Sequence, residues 1–305
     1  MATAFVNKHI TRVLAAGGTI VDPTWLATVD AWITSQGLLP YLFDWSNPAL
    51  GVVKNGSNQI SKIMGLGTTW LPRLGDLTPS DSTKTLYDAT AIGGLPGWTN
   101  SVDTAYSYYG LARAGTIRTQ HIRRKHHQGV TLVAVFKKSH AFVSSPFGMG
   151  QFGGLYLQNT AGSPGSCKFL VGPTATSVSD TNSATLANGS VHIIGGTFDQ
   201  DTAIAYVEGV GGAGQSGYIA ANTDANKNQY RPLLGAANLV NQIYYQVVSG
   251  SDQSHVVLGS GTAITFNGTD NQADMSVSDL IVFYTALTPT QMASLNALLR
   301  SRYGP

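Results

Sequence analysis

The side chains that could do acid or base chemistry in this chain are unevenly supplied: Glu208 is the one glutamate, against fifteen aspartates. Retaining glycosidases take nucleophile and acid/base from two carboxyl groups flanking the bond, commonly two glutamates, and no pair of glutamates exists to supply them. Asp199 and Asp201 alternate, but they fall where a hairpin turn is expected; an aspartate site assembled from distant loops stays open. Nucleophilic hydrolysis has no G-x-S-x-G elbow to work from. Cys167, in GSCKFLVG, starts an apparent strand, the usual setting of a buried structural thiol. His121, His126 and His127 raise zinc, yet they sit in a basic run with one cysteine in the whole chain and no H-E-x-x-H spacing. These residues predict a protein that is not an enzyme and requires no cofactor.

Binding has better candidates. Arg118, Arg123, Arg124, Lys125, Lys137 and Lys138 place six positive charges and no negative one between residues 118 and 138; with a net charge of +2 overall, the remainder stands at −4. Such a patch suits a polyanion: nucleic acid, an acidic glycan, or an acidic face on a neighbouring subunit. A solvated loop ahead of the VTLVAVF run is the plainer use. Nucleic acid ranks last, because no reading module accompanies the patch and the overall charge is small. Tyr106, Tyr108 and Tyr109 cluster in TAYSYYGLARAGTI. They could stack on sugar rings or pack across strands.

The elements that must position these residues are mostly strands. The chain is 43% hydrophobic, enough for a sizeable core, but only 11% charged, with 35 glycines and many Ser, Thr, Asn and Gln residues. One cysteine excludes an internal disulfide framework, so packing alone holds the fold. The start MATAFVNKHITRVLAAGG has too short an apolar run for a secretion signal, and no stretch approaches the apolar length of a membrane span. No internal repeat at a fixed period argues for a propeller or solenoid.

Two short helices are predicted first. Phe5, Val6, Ile10, Val13 and Leu14 fit one face; Gly17 and Gly18 break it, and Asp22 caps a second helix with Pro23 at its first position. Trp25, Leu26, Val29, Trp32 and Ile33 make an apolar stripe, which either packs on the main body or serves as a docking arm built on Trp25 and Trp32. This divides the chain into a helical extension, 1–38, and a β-rich domain, 39–305. The closing stretch, VSDLIVFYTALTPTQMASLNALLRSRYG, reads as a buried strand and then a helix. Thr288 is its N-cap, Pro289 its first residue and Gln291 the partner of a capping box, with Leu295 and Leu299 turned to a sheet.

That ending resembles the last strand and terminal helix of the laminin-G-like branch of the concanavalin A-like lectin/glucanase superfamily. PYLFD at 40–44 resembles its first strand, VTLVAVF at 130–136 a central strand, HIIGGTFD at 192–199 with AIAYVEG at 203–209 a hairpin, and RPLLGA at 231–236 the strand before the close. Glu208 stands where the family's hairpin commonly has Asp or Asn, and residues 239–272 match no family element. The resemblance implies a jelly-roll β-sandwich with a short helical N-terminal extension and a C-terminal helix. It also implies calcium at a rim, with Asp270, Asp274 and Asp279 as ligands. Combined with the low-charge surface and the absent export signal, it resembles bacteriophage capsid-decoration and tail-fibre proteins. The resulting expectation is a non-enzymatic structural or attachment component of a phage particle, folded in the host cytoplasm and located in the virion. Its partners would be other virion proteins, further copies of itself and a host surface glycan, with no nucleic acid and no membrane. The alternatives are a carbohydrate-binding lectin-like module and a glycan-cleaving enzyme with an aspartate site.

Overall fold

The computed structural model describes residues 3–39, 43–67, 76–79, 85–100, 107–111, 129–138, 144–149, 155–159, 165–171, 178–199, 201–217, 246–249, 275–283 and 285–304, and every count below is of these. The chain is mainly β, its sheets antiparallel, with three helices: α1 (Ala4–Ala15), α2 (Pro23–Ser35) and α3 (Pro289–Tyr303). None of the helices is long and apolar enough to cross a membrane.

A nine-stranded sheet forms the centre. Its main path runs β16 (Val210–Gly211), β15 (Ala203–Val207), β14 (Val191–Phe198), β9 (Val130–Lys138), β18 (Met275–Phe283), β1 (Phe43–Ser46) and β4 (Leu66–Gly67). A branch of β6 (Thr85–Ile92) and β7 (Leu95–Asn100) joins it through β18. Four strands, β10 (Ser144–Met149), β11 (Leu155–Asn159), β12 (Gly165–Val171) and β13 (Val178–Leu186), form a second sheet. The third comprises β2 (Val52–Lys54), β3 (Ile60–Ile63), β5 (Leu77–Pro79), β8 (Ser107–Leu111) and β17 (Gln246–Ser249).

The predicted central strand lies mid-sheet. β9 pairs with β14 on one side and β18 on the other, and residues 132–136 are all buried. A strand covered on both faces needs a continuous apolar run in place of alternation, which is what VTLVAVF supplies. Val133 and Val135 join the cluster beneath the helices, so Leu132, Ala134 and Phe136 point the other way. β14 shows why two adjacent glycines stand there. A Cβ on Gly195 would come within 2.7 Å of Met292 in α3, and one on Gly196 would fall inside the Phe169 ring of β12. One glycine lets the closing helix approach; the next lets the four-stranded sheet approach from the opposite face. Side chains then stitch the layers together: Asp180 of β13 accepts from the Ala205 backbone N–H at 2.8 Å, and Asn182 donates to the Val210 carbonyl at 2.8 Å.

The helices cover the other face. α3 has the expected capping box, and Met292, Leu295 and Leu299 are buried. The α2 stripe packs on the sheet: Trp25 and Trp32 each meet Trp45 edge-on with centroids 6.2 Å apart, and Trp32 Nε1 donates to Ser294 of α3 at 3.0 Å. α1 differs from expectation at one position. Leu14 is 63% exposed, and the buried face is Val6, His9 and Val13. The sequence pattern overlooked His9 because an imidazole does not count as apolar, yet its ring is buried and bonded to the Leu50 carbonyl at 2.9 Å.

Two outcomes are expected. Gly196→Ala should cost about 1–3 kcal/mol through overpacking, read as a fall in denaturation midpoint, and Phe169→Leu added to it should restore part of the loss. His9 titrates at about 4, lowered from 6.5 by burial, with Arg12 adding to the shift and the Leu50 carbonyl opposing it. The folded state therefore holds a neutral ring; its stability is whole above pH 6.5 and falls as pH drops toward 4, where the unfolded chain is protonated first. Stability curves should lose about 3 kcal/mol across that window, and His9→Gln should flatten the loss.

Candidate functional site

The lone glutamate occupies a turn. Glu208 and Gly209 both have positive φ, 51° and 76°, which makes the two-residue connection between β15 and β16 the mirror-image kind that matches strand twist. A glutamate in that conformation is strained, and a clamp holds it. Arg300 of α3 donates through Nε to Glu208 Oε2 at 2.7 Å and through Nη2 to Oε1, while also reaching the carbonyls of Val191 at 3.0 Å and Gly304 at 2.8 Å. Glu208 Oε1 further accepts from the Ile193 N–H at 3.2 Å. Both carboxylate oxygens are thereby committed to docking the closing helix on the hairpin.

Asp199 and Asp201 form the expected turn between β14 and β15. Asp199 Oδ1 accepts from the backbone N–H groups of Asp201 at 3.1 Å and Thr202 at 2.7 Å, a local side-chain turn. Asp22 caps α2 through the Trp25 N–H at 2.8 Å and pairs with Arg302 Nη1 at 2.7 Å; burial would raise its pKa, but these donors outweigh it and lower it. Asp30 holds the start of α1 through the Thr3 N–H and hydroxyl, and Asp76 pairs with Arg12 at 2.9 Å. Among the described residues no group of three or more His, Cys, Asp or Glu could hold a metal ion.

Asp279, the described member of the calcium trio, is fully buried in β18, not exposed at a rim. Its Oδ1 accepts from Trp45 Nε1 at 2.6 Å and Asn47 Nδ2 at 2.7 Å, and its Oδ2 from the Tyr303 hydroxyl. Burial pushes its pKa up, while Tyr303, Asn47, Trp45 and the Arg302 charge pull it down without cancelling the rise. Burial and then the Asp279 charge hold the Tyr303 phenol well above its ordinary value, so it stays a donor. Asp270 and Asp274 lie outside the described residues, as do Tyr106, Arg118, His121, Arg123, Arg124, Lys125, His126, His127 and the 231–236 stretch. Lys137 and Lys138 end β9, opposite Ser276 and Met275 of β18. Tyr108 and Tyr109 lie in β8, opposite Val248 and Val247. Cys167 is buried, which raises its thiol pKa far above the nucleophilic range.

One constellation faces outward. Exposed Lys54 ends β2; its ammonium lies 4.9 Å from the centroid of the half-buried Tyr87 ring and donates to Asn58 Oδ1 at 2.6 Å. The β2–β3 turn is fixed around Asn55, whose Oδ1 accepts from Ser57 and Gln59 N–H groups at 3.0 Å, and Asn58 takes the left-handed conformation there, φ 60°. The Tyr87 N–H donates to the Asn58 carbonyl at 2.8 Å, tying β6 to that turn. A cation, an aromatic ring and amides thus share one surface. Sequence reasoning missed them because Lys54 and Tyr87 belong to different strands in an irregular stretch.

No protein-family model matches the chain, and no curated protein matches it significantly. Solved structures do. A Trypanosoma rangeli sialidase in complex with 2,3-difluoro-KDN aligns over 86% of this chain and 33% of its own, at 14% identity and a TM-score of 0.52. The same organism's sialidase bound to the inhibitor DANA aligns over 98% of this chain and 38% of its own, at 13% identity and a TM-score of 0.52. A botulinum neurotoxin serotype D/C binding domain follows at 8% identity over 63% of this chain and 40% of its own, with a TM-score of 0.39. At these identities the sialidase likeness extends to the fold alone, and this chain spans little more than a third of the sialidase chains. The match to sialidase chains nevertheless overturns the expectation of a phage-particle component.

The clamp gives a prediction. Glu208→Ala leaves Arg300 without its carboxylate and the turn still strained, so stability should fall by about 2 kcal/mol, measured by chemical denaturation. Glu208→Asn, whose side chain tolerates the left-handed turn, should lose less.

Proposed function

We propose that this chain is a non-catalytic, glycan-binding module with a concanavalin A-like, laminin-G-like jelly-roll sandwich. The observation that carries the reading is the fold likeness to a third of a sialidase chain, a protein solved with sugar-derived ligands. Fold by itself does not assign chemistry; the engagement of the described carboxylates supports binding over carboxylate-based cleavage. Glycoside cleavage by acidic side chains needs two of them free to flank the bond, and here the one glutamate is spent on Arg300, Asp199 on its own turn and Asp279 on the buried network. A module of this kind would contribute glycan affinity and leave any bond cleavage to another domain or protein.

Titration calorimetry against a panel of acidic and neutral oligosaccharides should give saturable binding, with no free sugar or new reducing end after prolonged incubation. Turnover that persists through purification, and that is lost in an aspartate variant, would replace this reading with an enzymatic one.

A further inference from the structure

The Lys54, Tyr87 and Asn58 surface has the chemistry of a sugar subsite. We propose that it takes an acidic sugar, the carboxylate meeting the Lys54 ammonium, which lies over the Tyr87 ring, and the sugar's oxygens meeting the Tyr87 hydroxyl. This deepens the glycan-binding reading and rests on it.

The geometry supplies each part. A lysine ammonium carries three donors; among the described residues Asn58 Oδ1 takes one, and the exposed side chain can turn the others to a ligand carboxylate. Cation and ring are already placed together at 4.9 Å, an arrangement that attracts the ammonium to the aromatic face and limits the rotamers it must give up on binding. The turn beneath is rigid by its own bonding: Asn55 Nδ2 donates to Gln59 Oε1 at 2.6 Å, and the Tyr87 N–H is fixed to the Asn58 carbonyl. Tyr87 keeps its hydroxyl as a donor for ring oxygens, its pKa raised by burial and then by the neighbouring charge of Asp88. Among the described residues, Asp88 beside Tyr87 is an acidic group that would repel an anion. It follows Tyr87 in β6 and so points to the opposite face of the strand, where its Oδ1 accepts from the Thr90 N–H at 2.7 Å and hydroxyl at 2.9 Å.

The test uses sialyllactose as the acidic probe and lactose as its neutral counterpart, with binding to the full chain followed by calorimetry or ligand-observed NMR. The wild type should prefer sialyllactose, and added salt should reduce the preference. Lys54→Met should weaken sialyllactose by about tenfold, the scale of one lost hydrogen bond to a charged group, and leave lactose unchanged. Lys54→Arg should keep the preference, and Tyr87→Leu should weaken both sugars. Lys54 is exposed and Tyr87 half-buried, and an unchanged melting temperature verifies the fold of each variant. Wild-type affinity retained in Lys54→Met and Tyr87→Leu would overturn this subsite while leaving glycan binding standing. Binding of neither sugar, nor of any glycan in the panel, would remove the subsite together with the reading beneath it.

Discussion

The fold depends on one buried carboxylate. Asp279 lies at the centre of the principal sheet with no solvent, and an ion left there without partners would be prohibitive. Three donors meet it from far apart in the chain: the Trp45 indole and the Asn47 amide beside β1, and the Tyr303 hydroxyl at the end of α3. Ser278 extends the network by bonding the Tyr303 hydroxyl at 2.6 Å and the Pro96 carbonyl at 2.9 Å. Satisfying this single group therefore requires the first strand, the last strand, the closing helix and the β6–β7 branch to be in place together. A half-built version would leave a buried charge unpaired, which gives the arrangement its specificity.

The helical layer follows from that node. Trp45 donates its indole hydrogen to Asp279 and offers its ring to Trp25 and Trp32, so the polar and apolar parts of one side chain join β18 to α2. Arg302 completes the contact from α3, its guanidinium 4.6 Å from the Trp25 centroid and bonded to the Asp22 cap. Burial works against its charge, but Tyr303, Asp22 and Asp279 more than restore it. From the opposite side of the same last turn, Arg300 fastens the Glu208 turn. Two arginines two residues apart, and so on opposite sides of one helix turn, thus hold opposite flanks, and both engage carboxylates in structural pairs.

Among the described residues, Glu208, Asp22, Asp76, Asp180, Asp199 and Asp279 are each engaged in hydrogen bonds or ion pairs that hold the fold together.

Much of this architecture was written locally. VTLVAVF needed no partner to read as a buried strand, and Thr288, Pro289 and Gln291 marked the start of α3 by backbone chemistry confined to four residues. The tryptophan stripe of α2 and the Asp199 turn were legible for the same reason: spacing of a few residues fixes them. Only the tertiary structure decided what Asp279, Glu208 and His9 bond to, and that Lys54 meets Tyr87. Asp279 meets Trp45 across 234 positions, Arg300 meets Glu208 across 92, and Tyr87 reaches Lys54 from another strand. A carboxylate in sequence looks the same whether it will meet solvent, a metal or a buried indole. Its role is set by the groups that folding brings within 3 Å, and that distance is absent from a one-dimensional pattern.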